Sequence, residues 1–244
     1  MASTSETGHG KNVNHAQKRL EVLQGMGADY KPSNGAYVLT ALEPKITEAV
    51  TAHKKVTDLA GPYKTAISNR QVAYKIMGTW TTKIKAAASS SEIDEPLQNN
   101  VYSLVKVING QRIGDKPKAV EGKEAPKSNS VSRMSFVSRL ENFTALAKLL
   151  GSIPGYAPNE DENKVATMLA YVTELETLNK TAFPLEENFG KAIAIRNKLL
   201  YTEKTGLVDV LEGVKKYVFS IGDKGKMAHK SLMGLTLKKY KLED

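Results

Sequence analysis

The chain has 244 residues, of which 41% are hydrophobic and 25% are charged, enough for one large or two small packed domains. It contains no cysteine, which excludes disulfides, thiolate metal ligands and cysteine nucleophiles. The net charge of +9 is compatible with contact with nucleic acid or another polyanion, and also with a solvated, lysine-coated helical surface.

The amino-terminal residues 1–12 are polar and lack the apolar segment of a secretory signal. No apolar run reaches the roughly 18–20 residues that a membrane span requires. We therefore expect a disordered arm over 1–12, in a cytoplasmic protein that does not span a membrane.

A first helical bundle is predicted over residues 13–112. Its first helix ends at a glycine-containing turn, and beyond that turn apolar residues recur at steps of three and four, the spacing of a helix packed in a bundle. Because proline suits the first turn of a helix, Gly61-Pro62 is predicted to be the turn of a helical hairpin. One further helix is expected at about 94–110.

Residues 113–131 are rich in Lys, Gly, Pro and Ser with almost nothing to bury, which predicts a flexible basic linker. Helical periodicity resumes over 132–235, so we expect a second bundle there. Its third helix is expected to run from near Pro184 to about residue 217. The last residues, 236–244, are predicted to be a basic tail.

The two predicted bundles are related in sequence. A shift of 126 residues aligns Tyr30 with Tyr156 and Arg70 with Arg196, and it gives 13 identities over positions 20–75 without a gap. Shared helical composition would not hold such matches in one register. We therefore predict an elongated all-α protein made of a tandem duplicated up-down helical bundle, with two copies of three to four helices.

Polar residues interrupt the apolar stripes in both copies. His53 and Asn179 occupy equivalent positions on the second helices, and Arg70 and Arg196 occupy equivalent positions on the third helices. In a hairpin that turns near Gly61, His53 would lie level with Arg70, and the second copy would place Asn179 near Arg196. Each seam pair could be a ligand or anion site, or a polar layer that fixes the register of the helices.

A second set of matched residues lies mostly off the apolar stripes, where packing does not demand identity between copies. We interpret this set either as a common docking face or as a merely solvated surface. Its members are Thr47, Glu48, Thr51 and Lys54 in the first copy and Thr173, Glu174, Thr177 and Lys180 in the second.

Sequence motifs that carry chemistry are missing. The four histidines lack the spacing of a zinc or di-iron site, and no nucleotide-binding glycine motif or serine-nucleophile motif occurs. The segment SIGDKGKMAHKS contains Gly, Lys and Ser, but not at phosphate-loop spacing, and a helix-ending turn explains it better. We expect no metal and no cofactor, and a protein that is not an enzyme.

The phrases RLENFTAL, PGYAPNE and KVATML of segment 139–179 resemble a group of uncharacterised bacterial all-helical proteins with an ENF-x-x-L…P-x-Y-x-PNE…VA pattern. The resemblance is best over about 132–220, and the first copy is a degenerate version of the pattern. It implies an all-helical fold. No function is known for the group, so no site residue follows from the resemblance.

From these observations we expect a non-enzymatic helical scaffold or self-assembling protein, whose partner is another protein or a second copy of itself. The alternative is a polyanion-binding helical protein that uses its lysine-rich surface and linker for non-specific contact with nucleic acid. Only six of the 35 basic residues are arginine, which argues against specific nucleic-acid recognition.

Overall fold

The structure, a computed structural model, describes residues 6–111 and 134–241. Every regular element within these two ranges is helical, so the all-α prediction is confirmed for the described residues. The α-helices are α1 Glu6–Gly25, α2 Leu39–Ser89, α3 Glu95–Ile108, α4 Phe136–Gly151, α5 Val165–Tyr201, α6 Leu207–Ser220 and α7 Lys226–Gly234.

Helix α2 is the longest of the described helices, with 51 residues. It runs without a break through Gly61 and Pro62, so the predicted turn at this place is wrong. A proline inside a helix removes one backbone hydrogen bond and costs about 3 kcal/mol. Gly61 and Pro62 both face solvent, so neither belongs to the buried side of the helix. The buried side of the helix continues on either side of them, through Val56 and Ala66. This packing keeps the helix continuous.

Helix α5 likewise continues through Pro184, but it ends at Tyr201. The prediction of one helix reaching about residue 217 is therefore wrong, because a non-helical turn at 202–206 separates α5 from α6. Lys204 has a positive φ of 63°, and a Cβ on Gly206 would lie 2.7 Å from the backbone of Thr202. The break depends on glycine, since no larger residue fits this close approach.

The two ends of the chain also differ from expectation. Residues of the predicted arm 1–12 belong to α1 from Glu6 onward, and His9 and Asn12 are buried. Their polarity hides the start of this helix from a search for apolar periodicity. The predicted linker 113–131 lies outside the described residues, whereas residues 236–241 form a non-helical tail.

Two compact units are present; the first combines two separate segments of the chain, and the second is formed by the single segment between them. The first unit contains the described residues of Met1–Tyr63 and Leu185–Asp244, and the second unit contains those of Lys64–Pro184. Each unit combines parts of both predicted bundles, because α2 and α5 each contribute one end to each unit. This division differs from two bundles formed one after the other along the chain.

The core of the first unit joins α1 and α6 to one end each of α2 and α5. Side chains that are fully buried there are Leu23, Leu42, Leu200, Leu211 and Val218. Burying a side chain of this size stabilises a fold by about 1.5–3 kcal/mol. The tail adds partly buried Leu237 and Tyr240 to this core.

The core of the second unit joins α3 and α4 to the remaining parts of α2 and α5. Fully buried side chains there are Met77, Ile84, Val101, Phe143 and Leu175. Trp80, the only tryptophan of the chain, lies in this unit with its ring 5.0 Å from that of Tyr171. Its Nε1 donates a hydrogen bond to the carbonyl of Glu162 at 2.9 Å, which fixes the turn before α5.

The turns before α2 and α5 have the same internal hydrogen bond. The Tyr30 hydroxyl donates to the Tyr37 carbonyl at 2.6 Å, and the Tyr156 hydroxyl donates to the Asn163 carbonyl at 2.7 Å. Both tyrosines are 7% exposed. A short 3-10 turn follows in each case, and the next long helix begins two residues after it.

Candidate docking surfaces

The eight residues of the predicted docking face are all exposed. Those at 47–54 lie on α2 in the first unit, and those at 173–180 lie on α5 in the second unit. The Thr47 hydroxyl donates to the carbonyl four residues earlier at 2.9 Å, and Thr173 and Thr177 make the same kind of bond. Since these hydroxyls are satisfied within their own helices, a partner would meet mainly methyl and charged groups.

The charged groups of the docking face are mostly available to a partner. Lys54 pairs with Asp58 at 2.6 Å, but both side chains are more than half exposed, so this ion pair adds little stability. Among the described residues, Glu48, Glu174 and Lys180 make no ion pair. The face therefore presents both signs of charge on each long helix.

The predicted seam pairs do not form within either copy. His53 and Arg70 lie 17 residues apart on the continuous helix α2, roughly 25 Å at 1.5 Å per residue. Asn179 and Arg196 have the same separation on α5. Arg70 and Asn179 belong to the second unit, and His53 and Arg196 belong to the first. Each unit thus takes one polar residue from each half of the chain.

Tyr74 connects the polar residues of the second unit. Asn179 Nδ2 donates to the Tyr74 hydroxyl at 2.7 Å, and this hydroxyl donates to the Phe136 carbonyl at 2.9 Å. Arg70 is 3% exposed, and its guanidinium lies 4.2 Å from the ring centroid of Phe136 and 5.1 Å from that of Phe183. Burial raises the pKa of Tyr74, and the bond from Asn179 opposes this shift. Aromatic contact to the cation favours a structural polar layer over a ligand site.

The polar residues of the first unit have different surroundings. Arg196 is buried, and its Nε and Nη2 donate to Asn197 Oδ1 at 3.1 and 3.0 Å. His53 is half-buried, and its Nε2 would lie 3.1 Å from a Cβ placed on Gly10 of α1. Helix α1 therefore packs closely over His53, and the absence of a side chain at Gly10 permits this approach.

A row of polar residues on α1, which sequence reasoning missed, holds the end of the chain. Arg19 donates to the Leu235 carbonyl through Nε and Nη2, at 3.0 and 2.8 Å, and through Nη1 to the Leu211 carbonyl at 2.9 Å. Its Nη2 also lies 2.8 Å from Glu212. Burial lowers the pKa of Arg19, and the hydrogen bond and charge of Glu212 oppose this shift.

The same side of α1 also makes hydrogen bonds to the tail, residues 236–241. Asn12 donates to the Lys238 carbonyl at 2.7 Å and accepts from its N–H at 2.9 Å, and His15 Nδ1 lies 2.8 Å from the Thr236 carbonyl. From Asn12 to Arg19 the helix advances about 10 Å, and three extended residues cover about the same length. The tail therefore runs antiparallel to α1. The spacing of the buried positions 9, 12, 16 and 19 was the signal that could have located this contact.

No protein-family model matches the chain, and comparisons with curated proteins and with solved structures found no match. The resemblance to the ENF…PNE group stays a prediction. Within residues 6–111 and 134–241, no helix is long and apolar enough to cross a membrane. In the same two ranges, no cluster of three or more His, Asp or Glu side chains could hold a metal ion.

Proposed function

We propose that this protein is a non-enzymatic helical scaffold that assembles with itself through its repeated docking face. The observation that carries the proposal is that Thr, Glu, Thr and Lys recur at the same spacing on α2 and α5 and are exposed at all eight positions. Neither hydrophobic core contains these residues, so packing does not explain why they match.

The proposal includes an origin by tandem duplication, which would supply two copies of one surface. The equivalent hydrogen bonds of Tyr30 and Tyr156 support it. So do Tyr63 and Phe189, which stand 126 residues apart and stack within the first unit with ring centroids 4.5 Å apart. Two linked copies of a binding surface hold a partner more tightly than one, because the second contact is intramolecular.

Charge reversal on the docking face tests this function. The variant Glu48→Lys with Glu174→Lys alters both copies, and Glu21→Lys with Glu141→Lys is the matched control on exposed positions of α1 and α4. Sedimentation equilibrium from micromolar to submillimolar concentration should show a discrete oligomer for the parent chain and for the control. The docking variant should associate about tenfold more weakly, since like charges then meet.

Two outcomes of this experiment would refute assembly through the docking face. One is a parent chain that stays monomeric over the whole concentration range. The other is an unchanged association constant in the docking variant. Because all four glutamates are exposed, far-UV circular dichroism should show the same helix content in every variant.

Binding to polyanions is the second candidate function, favoured by the exposed lysines near the end of the chain. These are Lys224, Lys226, Lys230, Lys238, Lys239 and Lys241. Generic attraction of this kind falls by roughly 10³-fold or more between about 50 and 200 mM salt. We expect that fall in fluorescence anisotropy with duplex DNA. Submicromolar binding kept at the higher salt would favour this function over the scaffold. A cytoplasmic location stays a prediction.

A further inference from the structure

Three large apolar side chains are exposed at the end of α6 and along α7. Phe219 is 69% exposed, Met227 is 78% exposed and Met233 is 55% exposed. The ring of Phe219 lies 5.0 Å from that of His229, so Phe219 stands against α7. Single exposed apolar residues are ordinary in soluble proteins, but three around one short helix form a patch that calls for an explanation.

The orientation of α7 explains why the methionines are exposed. Leu232 is 1% exposed and faces the core of the first unit, together with partly buried Ala228. At 100° per residue, Lys226, Lys230 and the two methionines lie about 100–160° around the helix from Leu232, on its outward half. The outward side of α7 therefore alternates methionine with lysine.

The surroundings of this side are cationic. Residues 213–241 contain eight lysines and a single acidic residue, Asp223. Three of these lysines, Lys215, Lys224 and Lys239, form ion pairs with acidic residues outside this segment. Lys216 and Lys224 are also exposed in the elements that lead into α7. Among the described residues, Lys226 and Lys230 make no ion pair, so their charges are not neutralised within the protein.

We propose that the α7 patch, defined as Phe219, Met227 and Met233 with Lys226 and Lys230, docks the protein on the surface of an anionic lipid bilayer. Lysines near a bilayer are attracted by acidic headgroups. The apolar side chains can enter the boundary between headgroups and acyl chains, while the lysine stems extend past them towards the headgroups. This contact with the bilayer is peripheral. The α7 patch is a second surface, and it shares no residue with the docking face.

Other candidate partners would match only part of the α7 patch. A second copy would bring the lysines of two patches together, and like charges disfavour that contact. Nucleic acid would use the lysines and could stack a base on the Phe219 ring, but it would leave the two exposed methionines without an apolar partner. An anionic bilayer satisfies both the charges and the apolar groups.

Co-sedimentation of the full chain with lipid vesicles tests the proposal. The vesicles contain phosphatidylcholine alone or with about 30% phosphatidylserine, which gives the surface potential of an anionic leaflet. We expect binding that requires phosphatidylserine. Phe219→Ser with Met227→Ser should weaken it about tenfold or more, and Lys226→Glu with Lys230→Glu should abolish it.

The matched control is Val72→Ser with Ile76→Ser, which changes an apolar pair on α2 that is 61% and 56% exposed. It should keep the affinity of the parent chain. Equal binding by the parent and the Phe219/Met227 variant would overturn the proposal, because charge alone would then explain the attraction. A parent chain that does not bind anionic vesicles would overturn it too.

Duplex DNA provides a second arm that separates a lipid surface from a generic polyanion. The Phe219/Met227 variant keeps every lysine, so its affinity for DNA should equal that of the parent chain. If it loses DNA affinity to the same extent as vesicle affinity, the patch serves nucleic acid and the lipid proposal is wrong. Far-UV circular dichroism of each variant should match that of the parent, since the altered side chains are exposed.

Discussion

The hydrogen bond between Asn179 and Tyr74 allows a quantitative test of side-chain pairing in the second unit. Asn179→Leu removes the donor, and Tyr74→Phe removes the hydroxyl that accepts at 2.7 Å. A hydrogen bond of this kind contributes about 0.5–1.5 kcal/mol net to stability. We therefore expect a coupling free energy of about 1 kcal/mol between the two substitutions in a double-mutant cycle.

The two single variants should lower the free energy of unfolding by different amounts. Tyr74→Phe also removes the hydrogen bond to the Phe136 carbonyl, so two hydrogen bonds are lost and the free energy of unfolding should fall by about 1–3 kcal/mol. Asn179→Leu should cost less, because Tyr74 still donates to that carbonyl. In addition, Asn179 Oδ1 is buried with no hydrogen-bond partner among the described residues, and removing such an atom from apolar surroundings is favourable.

Urea denaturation followed by tryptophan fluorescence is the assay. Trp80 reports on the second unit, since its ring lies 5.4 Å from that of Phe143 in the core. A second cycle, Asn179→Leu with Arg196→Leu, is the control, and its coupling should be near zero because distant sites add. Coupling to Arg196 without coupling to Tyr74 would show that the hairpin register is correct and that α5 is not continuous.

The turns, the long helices and the ion pair on α6 provide three further tests. In urea denaturation followed by far-UV circular dichroism, which reports on the helices of both units, Tyr30→Phe and Tyr156→Phe should each lower the free energy of unfolding by about 1 kcal/mol, since each removes one equivalent hydrogen bond. A cost in one variant only would contradict the equivalence of the turns. Gly61→Ala should raise the same free energy by about 0.5–1 kcal/mol, as at an exposed position inside a helix, whereas Gly206→Ala should lower it because a Cβ would meet the backbone of Thr202. A loss of stability in Gly61→Ala would indicate a turn at that residue. Burial raises the pKa of Glu212, but hydrogen bonds from Lys215 and Arg19 outweigh it and leave the pKa below its usual value. The Glu212 carboxylate therefore stabilises the fold above its unfolded pKa of about 4.3, and this stabilisation is lost as the pH falls through the lower folded pKa. Glu212→Gln should flatten the acid side of a profile of stability against pH, and a profile as steep as that of the parent chain would contradict the assignment.

Local patterns predicted which segments are helical, but neither the ends of the long helices nor which helices pack together. The helix expected at about 94–110 is α3, Glu95–Ile108. The off-stripe positions of the docking face are exposed, as spacing indicates. The predicted turn at Gly61-Pro62 is wrong because the local propensity for a turn competes with the packing of the helix on both sides of it. Packing is a long-range property that a short window of sequence does not contain.

The polar residues show the same limit. The alignment of the two halves identified Arg70 and Asn179 as unusual, and both are buried. Their partners depend on which helices meet, and a single sequence does not encode this locally. The sequence did not predict that Asn12 and Arg19 are buried, because buried positions of a helix are expected to be apolar. These two side chains bind backbone carbonyls of residues 235 and 238, a role that exists only when this segment packs against α1.

Acetylation of lysines, followed by mass spectrometry, tests most directly whether assembly occurs through the docking face. Lys54 has 73% of its side chain exposed, and Lys180 is also exposed. At concentrations where the chain assembles, we predict that the reactivity of these two lysines falls several-fold relative to dilute protein. Lys18 on α1 and Lys148 on α4, which are exposed outside the face, should keep their reactivity. An oligomer in which Lys54 and Lys180 react as fast as in the dilute protein would contradict assembly through this surface.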